Sequence, residues 1–252
     1  MLAKKGAEAD KTALIAIDQA GNHLADVSYK QLDRSSSRFA DALLGLGVAK
    51  NDNVAVILPR ISEWYHVLFG CAQMGAVAIL GTNLLTANDI EYRISRAGAK
   101  VAVVSEAHAD AVEAIKAKCP TLEHLILVRM NSNGWHSFDT LCAQSDDHFD
   151  RTMVGPTRST DLILIYFTPD STAMPKMVGR DHAYALSHSI TKSYWQDLSE
   201  DDIHWTLTDT GWAKGAWGLL YPQLLAGCAI VLYDGECFDL EIHFKHYQNL
   251  SS

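Results

Sequence analysis

No Cys-x-x-Cys pair occurs in the 252 residues, and the five cysteines, Cys71, Cys119, Cys142, Cys228 and Cys237, are widely spaced and odd in number. The usual zinc and dithiol spacings are therefore excluded, and reduced, mostly buried thiols in a cytoplasmic protein are expected. Positive charge is also short: 21 Lys and Arg against 30 Asp and Glu leave a formal charge of −9. Nucleic acid and anionic membranes both require a basic face, so neither is an expected partner. No uninterrupted apolar run is long enough to span a bilayer. The greasiest stretch, 68–85, is broken by Gln73, Gly75, Gly81 and Asn83 and reads as a buried helix followed by a strand. The opening MLAKKGAEADKTALIAID lacks an apolar core followed by a small-residue cleavage site, so a secretory signal is not expected. Internal repeats, low-complexity tracts and a Gly-x-Ser-x-Gly elbow are all missing.

What remains is globular in composition, 48% hydrophobic and 20% charged, and long enough to bury a sizeable core. Strand-like runs at 13–17, 54–58, 77–80, 101–104, 124–128, 162–167, 204–207 and 229–233 alternate with helical patterns. Several runs are continuously apolar, as expected where both faces of a parallel sheet are covered. Ser28 and Gln31 have capping-box spacing ahead of Leu32, Phe39, Leu43 and Leu46, and Gly45 and Gly47 mark that helix's end. Thr86 and Asp89 open a second helix carrying Ile90, Ile94 and Ala97, and 239–247 is helix-like. The pattern predicts an α/β layered sandwich of mainly parallel sheet and helices. It reads as one domain over 1–252, with a subdomain boundary near 144–160.

The stretch 166–178, YFTPDSTAMPKMV, has the outline of a phosphate-binding loop without the glycines. Glycine-rich loops hold phosphates because their backbone N–H groups turn inward and approach closely. Pro169 has no N–H to offer and fixes its own φ. Asp170 adds a carboxylate, and at an assumed ~5 Å and an effective dielectric of ~20 each like-charge pair with a phosphate costs about 3 kcal/mol.

Thr168, Thr172, Pro175 and Lys176 keep the frame of Thr-Ser-Gly-Thr-Thr-Gly-x-Pro-Lys, the phosphate loop of the adenylate-forming (AMP-binding) superfamily, which this chain resembles. The resemblance runs over nearly the whole chain. Asp52 to Arg60 is similar to the family's early strand ending at Pro, followed in order by Gly70-Cys71 and Gly75-Ala76. Gly81-Thr82, Leu85 to Arg93, and Thr208-Asp-Thr-Gly-Trp212 with Lys214 resemble the medium-chain acyl-CoA synthetase branch. The resemblance implies the N-terminal part of the acyl-CoA synthetase large domain. The family's adenine, magnesium and ribose motifs, and its C-terminal domain with the catalytic lysine, have no counterpart before Ser252. ATP, Mg and CoA serve the family; with Pro169, Asp170 and Ala173 in the loop, no cofactor and no metal are expected here.

Phosphate-loop roles carry over only to Thr168, Ser171, Thr172 and Lys176, and a solvated loop lysine is the alternative for the last. For acid–base work the candidates are His182, Asp181 and Asp209, because an imidazole titrates near neutral pH. Tyr166, Trp212, Lys214 and His188 are candidate ligand contacts; in the family the Trp212 segment lies near the acyl and CoA side. A helix starting at Asp181 would leave His182 and His188 about 120° short of a shared face. His243 and His246 have helical spacing but no third ligand. Three readings follow. The first is a truncated synthetase-like protein repurposed in a biosynthetic pathway, such as secondary metabolism, to hold an acyl- or polyketide-like molecule and run ATP-independent cyclisation, isomerisation or hydrolysis. The second is a non-catalytic pseudo-ligase that forms a homo-oligomer or pairs with a full-length relative. The third is half of a split ligase.

Overall fold

The computed structural model describes residues 10–168, 174–235 and 241. Among them, strands β1 (Thr12–Ile17), β2 (His23–Ser28), β3 (Asn53–Ile57), β4 (Val77–Leu80), β5 (Ala99–Val104), β6 (His124–Leu127) and β7 (His136–Ser137) come first. They are followed by β8 (Leu162–Thr168), β9 (Lys176–Asp181), β10 (Ile203–His204) and β11 (Ala229–Tyr233). The helices are α1 (Tyr29–Gly45), α2 (Ser62–Met74), α3 (Ala87–Ala97), α4 (Glu106–Ile115), α5 (Phe138–Gln144), α6 (His182–Tyr194) and α7 (Tyr221–Ala226). A short α-turn (Ala213–Gly215) and a π-turn (Ala216–Leu220) lead into α7.

Seven strands form one sheet in the order β7-β6-β5-β3-β4-β8-β9, parallel throughout except for the final β8–β9 pair. The side chains alternate between two cores, as the strand period requires. Val54, Val56, Ala78, Leu80, Leu164 and Tyr166 face a core shared with α1 and α2. Ala55, Ile57, Val77, Ile79 and Ile165 face a second core with Ile90 and Ile94 of α3 and Val112 of α4. A second sheet, β10-β11-β1-β2, joins the first core through Leu14, Ile230 and Leu232. The expected α/β sandwich with a mainly parallel sheet is what forms. No helix among the described residues is long and apolar enough to cross a membrane.

The helix boundaries have local causes. Both predicted capping boxes form: the Ser28 hydroxyl accepts from Gln31 N while Gln31 accepts from Ser28 N, and Thr86 and Asp89 do the same. Helix α3 stops at Gly98, whose φ of 64° lies in the left-handed region that glycine occupies at low cost. Helix α2 can approach α1 closely because Gly70 has no side chain. A Cβ there would sit 2.7 Å from Phe39 Cδ1 and 2.9 Å from the Ser36 carbonyl oxygen.

Three elements depart from expectation. The strand expected at 204–207 is only the two-residue β10, because residues 205–212 leave the sheet to cross toward Gly81. Strands β2 and β9 carry little apolar alternation and are largely exposed, so pairing rather than burial makes them strands. The helix-like segment 239–247, His243, His246 and Cys237 lie outside the described residues. Cys71, Cys119, Cys142 and Cys228 are free thiols.

Replacing Gly70 by valine is expected to force α1 and α2 apart, lowering stability by about 1–3 kcal/mol. Urea denaturation followed by circular dichroism measures the loss; an unchanged midpoint would show that the two helices can yield.

Candidate functional site

The β8–β9 hairpin decides where the candidate residues go. Its register pairs Thr168 with Lys176 at one end and Leu162 with Asp181 at the other. Along β8 those ends are six residue steps apart, about 20 Å at ~3.3 Å per step. The loop 169–173 closes the first end; Pro169, Asp170, Ser171, Thr172 and Ala173 lie outside the described residues. At that end the Tyr92 hydroxyl donates to the Pro175 carbonyl (3.0 Å), and the Arg93 guanidinium stands 5.4 Å from the centre of the Phe167 ring. Lys176 is exposed and hydrogen bonded through its carbonyl to the Thr168 hydroxyl at 3.5 Å.

The carboxyl ends of β3, β4 and β11 meet at a junction made by residues 208–212. In open α/β sheets, ligands gather at such ends. Arg60, just after β3, donates to the carbonyls of Thr208, Tyr233 and Gly235. The buried Thr210 hydroxyl donates to the Leu58 carbonyl. The Asp209 carboxylate accepts from Asn83 N (3.2 Å) with one oxygen and from Gly211 N (2.8 Å) with the other. Gly211 lies so close to Gly81 and Thr82 that any Cβ would overlap their backbone. His108 Nε2 donates to the Asn83 carbonyl at 3.2 Å, fixing the same loop from the α4 side. Trp212 is about half exposed (52%), and the Lys214 ammonium lies 5.9 Å from the Trp217 ring centre.

Asp181 and His182 sit at the far end of the hairpin. Asp181 caps α6, its carboxylate accepting from Tyr184 N at 3.0 Å. The His182 backbone N–H donates to the Asp161 carbonyl, and Asp161 pairs with Lys50 at 2.7 Å. Burial lowers the His182 pKa, more than the Asp161 and Asp181 carboxylates raise it. His188 is buried nearly two turns further along, edge-on to Tyr184 (4.6 Å between ring centres) and stacked on Tyr221 (6.0 Å). Burial lowers its pKa as well. Tyr166 is buried beside Tyr184 and Tyr221, and burial pushes its hydroxyl well above the usual phenol range.

Two ends of the sheet result: Asp181 and His182 lie at one with the start of α6, and at the other, because β4 and β8 run parallel, the loop end with Thr168 and Lys176 is on the same side as the junction with Asp209, Trp212 and Lys214. Tyr166 and His188 join a common aromatic cluster through Tyr184 and Tyr221. His182 instead lines a cavity of about 270 Å³ with Phe69, Ile163, Ala185 and Tyr221. Sequence reasoning passed over Arg60 and Gly211 as site-builders. Both stand inside the stretches singled out for the family resemblance, and their spacing gives no hint of the contacts they make, Arg60 with Thr208, Tyr233 and Gly235 and Gly211 with Gly81 and Thr82. No group of three or more metal-ligating side chains comes together among the described residues.

The model of the AMP-binding enzyme family matches residues 3–250. The chain belongs to that family. Among curated family members it is 38% identical over 208 residues to acyl-coenzyme A synthetase ACSM5, mitochondrial, of Mus musculus, covering 81% of this chain and 35% of that protein. It is 36% identical over 217 residues to the mitochondrial acyl-coenzyme A synthetase ACSM4 of Homo sapiens, covering 85% and 37%. The chain thus spans about a third of the length of these family members. In fold it is similar to the Brucella canis acyl-CoA synthetase (TM-score 0.85, 22% identity, 96% of this chain, 43% of that one). The anthranilate CoA ligase AuaEII, solved with anthranoyl-AMP, superimposes with a TM-score of 0.83 at 24% identity over 90% of this chain and 42% of the other.

Because the fold holds His182 and His188 below the ordinary imidazole pKa, both are neutral in the folded chain near pH 7, and unfolding lets them bind protons. Their contribution to stability is complete above the unfolded pKa of about 6.5 and is lost as pH falls toward the folded values. His188→Phe keeps the ring between Tyr184 and Tyr221 and is expected to lose less stability than the parent between pH 7.5 and 5 in urea titrations. Equal losses would mean that His188 does not contribute to acid sensitivity.

Proposed function

We propose that this chain is an acyl-CoA-synthetase-like member of the AMP-binding family that holds a small acyl-type molecule without activating it through ATP. One observation carries the reading: two of the three acid–base candidates, Asp209 and Asp181, already have structural tasks, and the third, His182, is remote from the loop. Asp209 spends both oxygens on backbone N–H groups, Asp181 caps a helix, and His188 is packed between two tyrosines. His182 stands about 20 Å from the loop along the hairpin. A general base has to reach a reacting proton within a hydrogen bond or through one water. This distribution favours holding a ligand over transforming one. Pro169 and Asp170 argue in the same direction, since the first removes an N–H and the second opposes a polyphosphate. On this reading ATP, Mg and CoA are not used.

Calorimetric titration with MgATP is expected to give no binding heat. The triple substitution Pro169→Ser, Asp170→Gly and Ala173→Gly returns one N–H donor, restores the glycines' backbone freedom and removes the charge. It is expected to tighten MgATP binding by about a hundredfold, the equivalent of about 3 kcal/mol. Binding by the parent chain, or pyrophosphate release from ATP and a fatty acid, would sink the proposal.

A second reading, pairing with a longer member of the family, is favoured by the outer end of α6, where Ile190, Tyr194 and the following Trp195 are 65–88% exposed. Exposed apolar patches of this kind commonly mark interaction surfaces. Light scattering after mixing with a full-length family synthetase is expected to show a complex that Ile190→Lys abolishes. Two unmixed species would remove this reading.

A further inference from the structure

The cavity beside His182 carries a charge pattern that the family assignment does not use. It lies where α1, α2, α6 and α7 converge, at the end of the β8–β9 hairpin opposite the loop. A register shift between Leu162 and Leu164 places an irregularity at Ile163, which lines it. The floor is apolar, from Phe69, Ile163, Tyr221 and Leu225. Asp33 of α1 and Arg151 of the short turn Arg151–Met153 also line it, one of each sign. Neither side chain has an ion-pair or hydrogen-bond partner among the described residues, and they do not pair with each other. Neighbouring charges behave differently: Arg34 pairs with Asp147 at 3.5 Å and Lys50 with Asp161 at 2.7 Å.

We propose that this cleft binds a free apolar α-amino acid, with its carboxylate on Arg151, its ammonium on Asp33 and its side chain on the Phe69–Tyr221 floor. Two charges of opposite sign, unpaired among the described residues, around one apolar floor select a zwitterion. A simple carboxylic acid would satisfy Arg151 but present its charge to Asp33, and a simple amine would do the reverse. Guanidinium suits the carboxylate because it offers two parallel donors. Burial keeps His182 neutral near pH 7, so it adds no third charge to the wall. The volume of about 270 Å³ equals that of about nine waters at ~30 Å³ each, room for a ligand of leucine or phenylalanine size. The assignment rests on the reading that this chain holds a small molecule, and it sites that molecule away from the loop.

Titration calorimetry or ligand-observed NMR on the full chain, with L-phenylalanine, 3-phenylpropanoate and phenethylamine, tests it. Phenylalanine is expected to bind at least tenfold more tightly than either analogue. Asp33→Asn should erase the preference over 3-phenylpropanoate, and Arg151→Gln the preference over phenethylamine. Both side chains are at the surface, and unchanged thermal midpoints will show that the variants fold. If 3-phenylpropanoate binds as tightly as phenylalanine, the amino-acid assignment is overturned while the small-molecule reading stands. If L-phenylalanine and L-leucine both fail to bind, the cleft assignment is overturned. MgATP turnover by the parent chain would instead overturn the reading on which it rests.

Discussion

The antiparallel pairing of β9 with β8 is the constraint on which the candidate sites depend. It is the single antiparallel contact in the seven-stranded sheet, and it turns a stretch adjacent in sequence into two distant places. Lys176 returns to Thr168, while Asp181 is carried to Leu162 and starts α6 there. Strand side chains alternate with period two, so a slip of one residue in this pairing would exchange the two faces of β9. The same register sends Tyr166 toward α6 and α7, and Ile165 and Phe167 toward α3.

At the carboxyl ends of the parallel strands β3 and β4, a junction of polar contacts takes over. Arg60 joins three segments far apart in sequence through their carbonyls, and Asp209 ties residues 208–211 to Asn83. Nearby, Arg129 holds Glu63 with two hydrogen bonds, at 2.6 and 2.9 Å, and burial raises the Asp234 carboxyl despite Arg129 and Arg60. Buried backbone groups need partners, and a loop crossing between two sheets has no ladder to supply them. Side chains that resemble catalytic groups in the sequence are employed here as structural ones.

Much of the fold was legible beforehand because its causes are local or periodic. The continuously apolar runs at 54–58, 77–80 and 101–104 became interior strands, since a sheet covered on both faces needs no polar alternation. Ser28 with Gln31 and Thr86 with Asp89 set helix starts through hydrogen bonds that span three residues. Strands β2 and β9 are not legible in the sequence because their exposed, charged residues carry no burial pattern. The run 204–207 reads as strand because Trp205 and Leu207 are apolar, yet the ladder ends with the two-residue β10 at His204. The candidate sites were less legible. Asp33, Arg151 and His182 share one cavity although they are more than a hundred residues apart at the extremes, and no spacing rule joins them.

The sequence by itself determined the family, the layered α/β class, the helix caps and the substitutions at Pro169 and Asp170, since these depend on residue identity and short-range order. Only the tertiary structure decided which polar side chains are free to act. Asp209 and Asp181 were spent on backbone N–H groups, and His182 was separated from the loop by the length of a strand. Partners and distances across a sheet are fixed by the register and by the convergence of strand ends, and neither is written in the spacing of residues along the chain.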